Sequence, residues 1–199
     1  MDHFLLAALA VFLIYQLRAR EQRQRIAVLA QYLRPYQIEP LMERLTEGYQ
    51  RALAESDPQR RDMLWRQHGA SEAALAEQVA RLANDFSRVA EPLARVSRIP
   101  LPFAARWLPR SCFDFRQLLA LHARALAEAV RHDMGGTAQQ RAYMLLAEIL
   151  LLQHSCHWFC RSFTVASARM MMRHQTRHDQ ALQAVAPATR EAYRQLVGV

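Results

Sequence analysis

Seven residues in the C-terminal half of the chain, His154-Ser-Cys-His-Trp-Phe-Cys160, concentrate the side chains best suited to chemistry. On an α-helix, Cys156, His157 and Cys160 fall at i, i+1 and i+4 and share one side, with Gln153 a turn before. Neutral imidazole and thiolate are ligands for zinc and other borderline-soft metals. Further ligands are available from His154 itself and from Cys112 or His122 on the neighbouring stretch. The spacing matches neither a zinc-finger pair nor a haem attachment motif, which needs two residues between its cysteines and a histidine directly after. Inert packing of buried cysteines is the expectation here. A helical-bundle enzyme or sensor holding zinc, iron or haem is the alternative.

Two other groupings carry chemistry. Glu128 and His132 stand at i and i+4, with Glu148 on the following helix. Di-iron bundles build sites this way, but they use two Glu-x-x-His motifs, and Glu148 is followed by Ile-Leu-Leu. A solvated face for Glu128 and His132, and an arginine partner for Glu148, are expected instead. The last grouping is a basic stripe of Arg161, Arg169, Arg173 and Arg177, joined by His174 and His178, with no acid until Asp179. Cations there complement a helix C-terminus. They also suit an anionic surface, where each basic residue near a charged leaflet contributes about 1 kcal/mol. No zinc finger, RNP sequence or basic region with heptads accompanies them, so nucleic acid is the less expected partner and lipid the simpler one. No P-loop, dinucleotide fingerprint, nucleophile elbow or His-Glu-x-x-His is present, which weakens an enzymatic reading.

The elements that must position these residues are helices. The 199 residues include only five glycines and are 52% hydrophobic. Ala, Leu, Arg, Gln and Glu dominate, and their side chains lose little freedom on a helix. All 26 basic residues are arginine, and the formal charge is +8. Residues 26–98 are neutral, with ten arginines against ten acids, so the excess sits toward the two ends. Three cysteines, an odd number without framework spacing, read as reduced thiols and suit a cytoplasmic bulk.

Phe4 to Leu17, FLLAALAVFLIYQL, is the most apolar run. It is short for a span of about 20 residues, but thinning of the bilayer and snorkelling of Arg18 and Arg20 close the gap. A signal peptide would carry basic residues first and small residues at a cleavage site; Asp2 and His3 precede this run and Tyr-Gln-Leu-Arg ends it. Arg18, Arg20, Arg23 and Arg25 on the far flank hold that side in the cytoplasm.

Beyond it, the anchor helix is expected to continue to Pro35, and a second helix to open around Pro40. A third starts at Asp57-Pro58 and ends at Gly69. A fourth runs from Glu72, capped by Ser71, toward Ser97, with Pro92 kinking or shortening it. Residues 97–110 hold three prolines in a short stretch and forbid a long element. A fifth helix follows Ser111 or Asp114 and stops at Gly135-Gly136. Thr137 with Gln140 caps the sixth, which is apolar all round, reads as buried, and is expected to run past Cys160 toward His178. A short helix after Pro187 closes the chain.

The fold class expected is all-α, an N-terminal membrane anchor followed by a cytoplasmic bundle of five or six helices. Residues 1–25 form the anchor and basic flank, 26–98 amphipathic helices, 99–113 a Pro-rich connector and 114–199 the bundle core. Such a chain is expected in a bacterial inner membrane, as an adaptor or accessory subunit with lipid and a protein as partners and no catalytic activity.

Overall fold

The computed structural model describes residues 2–99, 101–131 and 137–198. Among the described residues the chain is all-α apart from one small ribbon. The expected C-terminal stop of the fifth helix at Gly135-Gly136, and His132, lie outside the described residues.

Helix α1 spans Asp2–Leu33 and has two characters. Its side chains from His3 to Leu17 are all exposed, whereas Leu29 is buried and Tyr32 packs edge-on against Phe86, 5.3 Å between ring centres. It stops two residues before Pro35, whose ring disfavours helical geometry in the residue ahead. Helix α2 (Ile38–Ala54) carries Pro40 in its first turn, where the absent N–H has no intrahelical acceptor to lose. Helix α3 (Pro58–Gln67) opens as its sequence dictates, with the Asp57 side chain accepting the Gln59 N–H and Pro58 at the first position.

Helix α4 (Gly69–Phe86) begins earlier than expected. Gly69 is its first residue, not a stop, and Ser71 lies inside it rather than capping it; a single residue, His68, serves as both the end of α3 and the start of α4. Leu75, Val79, Leu82 and Phe86 form its buried stripe. The run does not reach Ser97. It ends at Phe86, and Pro92 instead opens the four-residue α5 (Glu91–Ala94).

Two short strands were not legible in the sequence. Strand β1 (Arg95–Ser97) pairs antiparallel with β2 (Cys112–Asp114), Val96 opposite Phe113, and between them lie α6 (Ala104–Trp107) and a 3-10 turn at Pro109–Ser111. The ribbon closes the Pro-rich connector at its base. Helix α7 (Phe115–Arg131) and α8 (Ala138–Cys160) then form the centre, α8 starting at a capping box in which Thr137 and Gln140 satisfy each other's backbone N–H. Ile149, Leu151, Leu152 and Phe159 of α8 are buried. Phe86, Phe115 and Phe159 meet there, the latter two stacked at 4.4 Å.

The sixth helix does not run on to His178. It breaks at Arg161, where Ser162 caps α9 (Phe163–His174) by accepting the Val165 N–H. Gln175, at φ 50°, turns the chain again into α10 (His178–Ala184), and α11 (Pro187–Val197) ends the fold. Among the described residues, eight helices of seven residues or more therefore follow α1, the two extra ones arising from these breaks.

One buried polar contact joins α2 to α4. The Tyr49 hydroxyl donates to Glu72 Oε1 at 2.6 Å, both groups are buried, and Arg141 stands 3.9 Å from the other oxygen. Tyr49→Phe strips a carboxylate of its closest donor without removing the ring, and is expected to lower stability by about 2 kcal/mol in chemical denaturation.

Candidate functional site

Helix α8 decides where the chemistry-bearing residues go. Successive residues on a helix point about 100° apart, so a cluster dense in sequence is spread over several faces. The Leu151–Ser155 side meets α7, the His154–Trp158 side meets α9 and α10, and Gln153, Cys156, His157 and Cys160 turn toward α1 and α2.

On the first two faces lies a chain of buried polar groups. His122 Nε2 is 2.9 Å from Ser155 Oγ. That hydroxyl donates its proton to the Leu151 carbonyl at 2.9 Å, so it accepts from His122, and the proton of His122 sits on Nε2. Its Nδ1 is then a bare acceptor, and none of the described residues donates to it. His154 bonds Ser167 through Nε2 at 3.0 Å, and its own Nδ1 is likewise without a partner there. The ring of His154 lies 4.4 Å from that of His178, which reaches the Tyr193 hydroxyl at 3.1 Å. Phe163 and Trp158 pack edge-on around the same rings.

Burial holds these histidines neutral. It pushes His122 down to about 3. His154 also falls to about 3, from burial first and then from the charges of His178, His157 and His122. His178, His157 and His174 are lowered as well, burial being the largest cause in each.

The ligand set of the alternative reading is spread over several faces. His122, His154 and the Cys156–His157–Cys160 side occupy different faces, and among the described residues no three His, Cys, Asp or Glu side chains are placed to hold one metal ion. Burial lifts the Cys156 thiol well above its usual range and Cys160 to about 11, so both are thiols at neutral pH rather than nucleophiles. Cys112 is buried beside the 3-10 turn, its thiol 3.7 Å from the Leu108 carbonyl. Glu128 is solvated as expected. Glu148 is not paired with an arginine: it is 1% exposed, and neither oxygen has a hydrogen-bond partner among the described residues. Burial raises it to about 7, and the nearby Thr189 side chain and Ala186 backbone, at the start of α11, oppose that rise without reaching hydrogen-bond geometry.

The third face opens onto a cleft of about 420 Å³ between α2 and α9. One wall is Glu39, Glu43 and Glu47, four residues apart along α2; the other is Arg169 and Arg173 of α9; Leu82 and Leu152 lie beneath, with Gln153, Cys156, His157 and His174. Arg173 spans the opening to Glu43 at 2.8 Å. A second cavity of about 360 Å³ shares Leu33, Ile38, Glu39, Cys156 and His157 and extends beneath α1 to Cys160. The spacing of the three glutamates was legible in the sequence; that α9 would face them was not, because it depends on the break at Arg161.

The basic stripe is divided by the same breaks. Arg161 bonds Gln22 at 3.0 Å, Arg169 and Arg173 face the cleft, and Arg177 precedes α10 paired with Asp179 at 3.0 Å. At the other end, Arg18, Arg20 and Arg23 form no ion pair among the described residues, whereas Arg25 turns inward to Glu21 at 2.6 Å and to the carbonyls of Arg95 and Phe159.

These features define an all-α chain with one N-terminal helix long and apolar enough to cross a membrane, and a charged cleft on the bundle. The chain matches no family model, no curated protein and no solved structure.

Proposed function

We propose that the protein is a membrane-tethered helical adaptor or accessory subunit, held by the N-terminal half of α1 and presenting the α2–α9 cleft to a protein partner. The tether rests on one observation: from Phe4 to Leu17 the apolar side chains of α1 are exposed and the bundle covers none of them. An apolar helix of that size left in water loses on the order of 25 cal/mol for each Å² of hydrocarbon it exposes, so an apolar environment must cover it. The arginines directly after it support a cytoplasmic position for the bundle under the positive-inside rule, and a bacterial inner membrane is the membrane this reading proposes. The cleft supports the adaptor reading, since opposed acidic and basic walls over an apolar floor suit a polar segment with an apolar face.

Deleting residues 3–17 removes no packed side chain, so the bundle is expected to keep its helical signal while the protein moves from the membrane fraction to the soluble fraction. Continued sedimentation with membranes would sink the tether. A photo-crosslinker at Thr46, beside the cleft, is expected to trap a discrete protein adduct that the same probe at exposed Arg124 of α7 does not give. Lipid adducts alone, or identical adducts from both faces, would remove the adaptor reading.

A further inference from the structure

The Pro-rich connector sits beside the end of the apolar half of α1. The Phe103 N–H donates to Glu21 Oε2 at 2.9 Å, and Glu21 is held by Arg25. Glu21 lies four residues past Leu17, which at about 1.5 Å per residue is one helical turn below the last apolar position. A small cavity joins Ile99 and Leu101 of the connector to Arg18 of α1 and to Arg161 at the start of α9, so these residues share one level of the molecule.

The connector presents what a folded surface ordinarily hides. Ile99, Leu101, Phe103 and Leu108 are exposed, and Trp107 is 74% exposed. They surround a region whose charge is one-sided. Arg18, Arg25, Arg98 and Arg161 line the cavity against the single acid Glu21. None of Arg18, Arg20, Arg23, Arg98, Arg110 and Arg161 forms an ion pair among the described residues. Arg98 spends its guanidinium on the carbonyls of Leu196, Val197 and Arg110, which fixes the positive charge in place without neutralising it.

We infer that the connector is a second membrane contact: the side chains of Ile99, Leu101, Phe103, Trp107 and Leu108 enter the interface of an anionic leaflet beside α1, and the surrounding arginines engage lipid phosphates. The inference rests on the tether proposed above. Aromatic and aliphatic side chains bracketed by arginine are the composition of an interfacial segment. A protein partner would not require Ile99 and Leu101 to sit level with the end of the apolar helix, or the surroundings to hold arginine in excess once Glu21 and Glu91 are paired with Arg25 and Arg95, and an anionic leaflet accounts for both. Two contacts also do what one helix does not, since a single span leaves the bundle free to swing. Fixing the connector to the leaflet sets the orientation of the cleft.

Trp107 supplies the readout, because Trp65 and Trp158 are both buried. Purified full-length protein is reconstituted into vesicles of phosphatidylcholine and phosphatidylglycerol whose acyl chains carry bromine, a contact quencher. The tryptophan emission that Trp107→Phe removes is expected to fall by about half relative to unbrominated vesicles, as for a ring at the headgroup boundary. The pair Leu101→Asp and Leu108→Asp, both at exposed positions, is expected to abolish that quenching while the protein still floats with the vesicles. Flotation without quenching of Trp107 would overturn the second contact and leave the tether standing. Quenching that survives both aspartates would overturn it as well. Protein that fails to float would overturn tether and contact together.

Discussion

Acidification from pH 7 to pH 4 is expected to withdraw about 6 kcal/mol of stability through His122 and His154 alone. Both have folded values near 3, against an ordinary value of 6.5. The native state therefore binds fewer protons than the unfolded chain throughout that window. Stability is fully present above pH 6.5 and is lost as the pH falls toward 3. The structural reason is that each ring has one nitrogen bonded to a serine and, among the described residues, no acceptor for a proton on the other. Protonation would put a charge on a buried nitrogen without an acceptor, a cost the fold avoids by keeping the ring neutral. His122→Leu leaves Ser155 bonded to the Leu151 carbonyl, so it strands no hydroxyl. Urea titration between pH 4 and 7 is expected to show about half the histidine-linked loss in this variant. An unchanged pH dependence would show that His122 is hydrated or paired in solution.

The same network shows where the sequence could and could not be read. Its members come from α7, α8, α9, α10 and α11, and their meeting depends on the turns at Arg161 and Gln175. The fold class and several helix starts were legible, because they are local. Asp57-Pro58 and the Thr137–Gln140 box carry their own hydrogen-bonding logic within four residues. The break at Arg161 was not legible, since Ser162 caps α9 from a stretch whose apolar pattern reads as continuous helix. Strand β1 was hidden for a related reason: three residues hold no periodicity, and the ribbon exists only because β2 returns to pair with it. The arginine stripe fails as a stripe on the same ground. A spacing of four means one face only while the helix persists, and here the chain leaves the helix at Gln175.

Burial of an acid with no hydrogen-bond partner among the described residues is the other feature the sequence did not disclose. Glu148 looks like a residue awaiting an arginine, yet α8 carries it into the core against α11. Its effect on stability runs opposite to that of the histidines. With a folded value near 7 and an ordinary value of 4.5, it binds more protons in the native state than in the unfolded one. Its penalty is absent below pH 4.5 and grows as the pH rises toward 7, reaching about 3 kcal/mol at pH 8. Glu148 thus cancels about half of what the two histidines lose on acidification. The protein's stability should therefore vary less between pH 4 and 7 than the two histidines dictate alone.

Replacing Glu148 by Gln removes the ionisable group while keeping its shape. The variant is expected to match the parent at pH 4 and to exceed it by about 3 kcal/mol at pH 8, a rise in Tm of about 6–12 °C for a chain of this length. It is also expected to expose the full acid sensitivity of His122 and His154, because nothing then offsets them. Thermal melts of parent and variant at pH 4 and pH 8 distinguish the outcomes. Equal melting at both values would mean that Thr189 and the start of α11 satisfy the carboxylate in full. A variant less stable at pH 8 would mean that the negative charge itself holds α11 against α8, through the N–H groups at that helix's first turn.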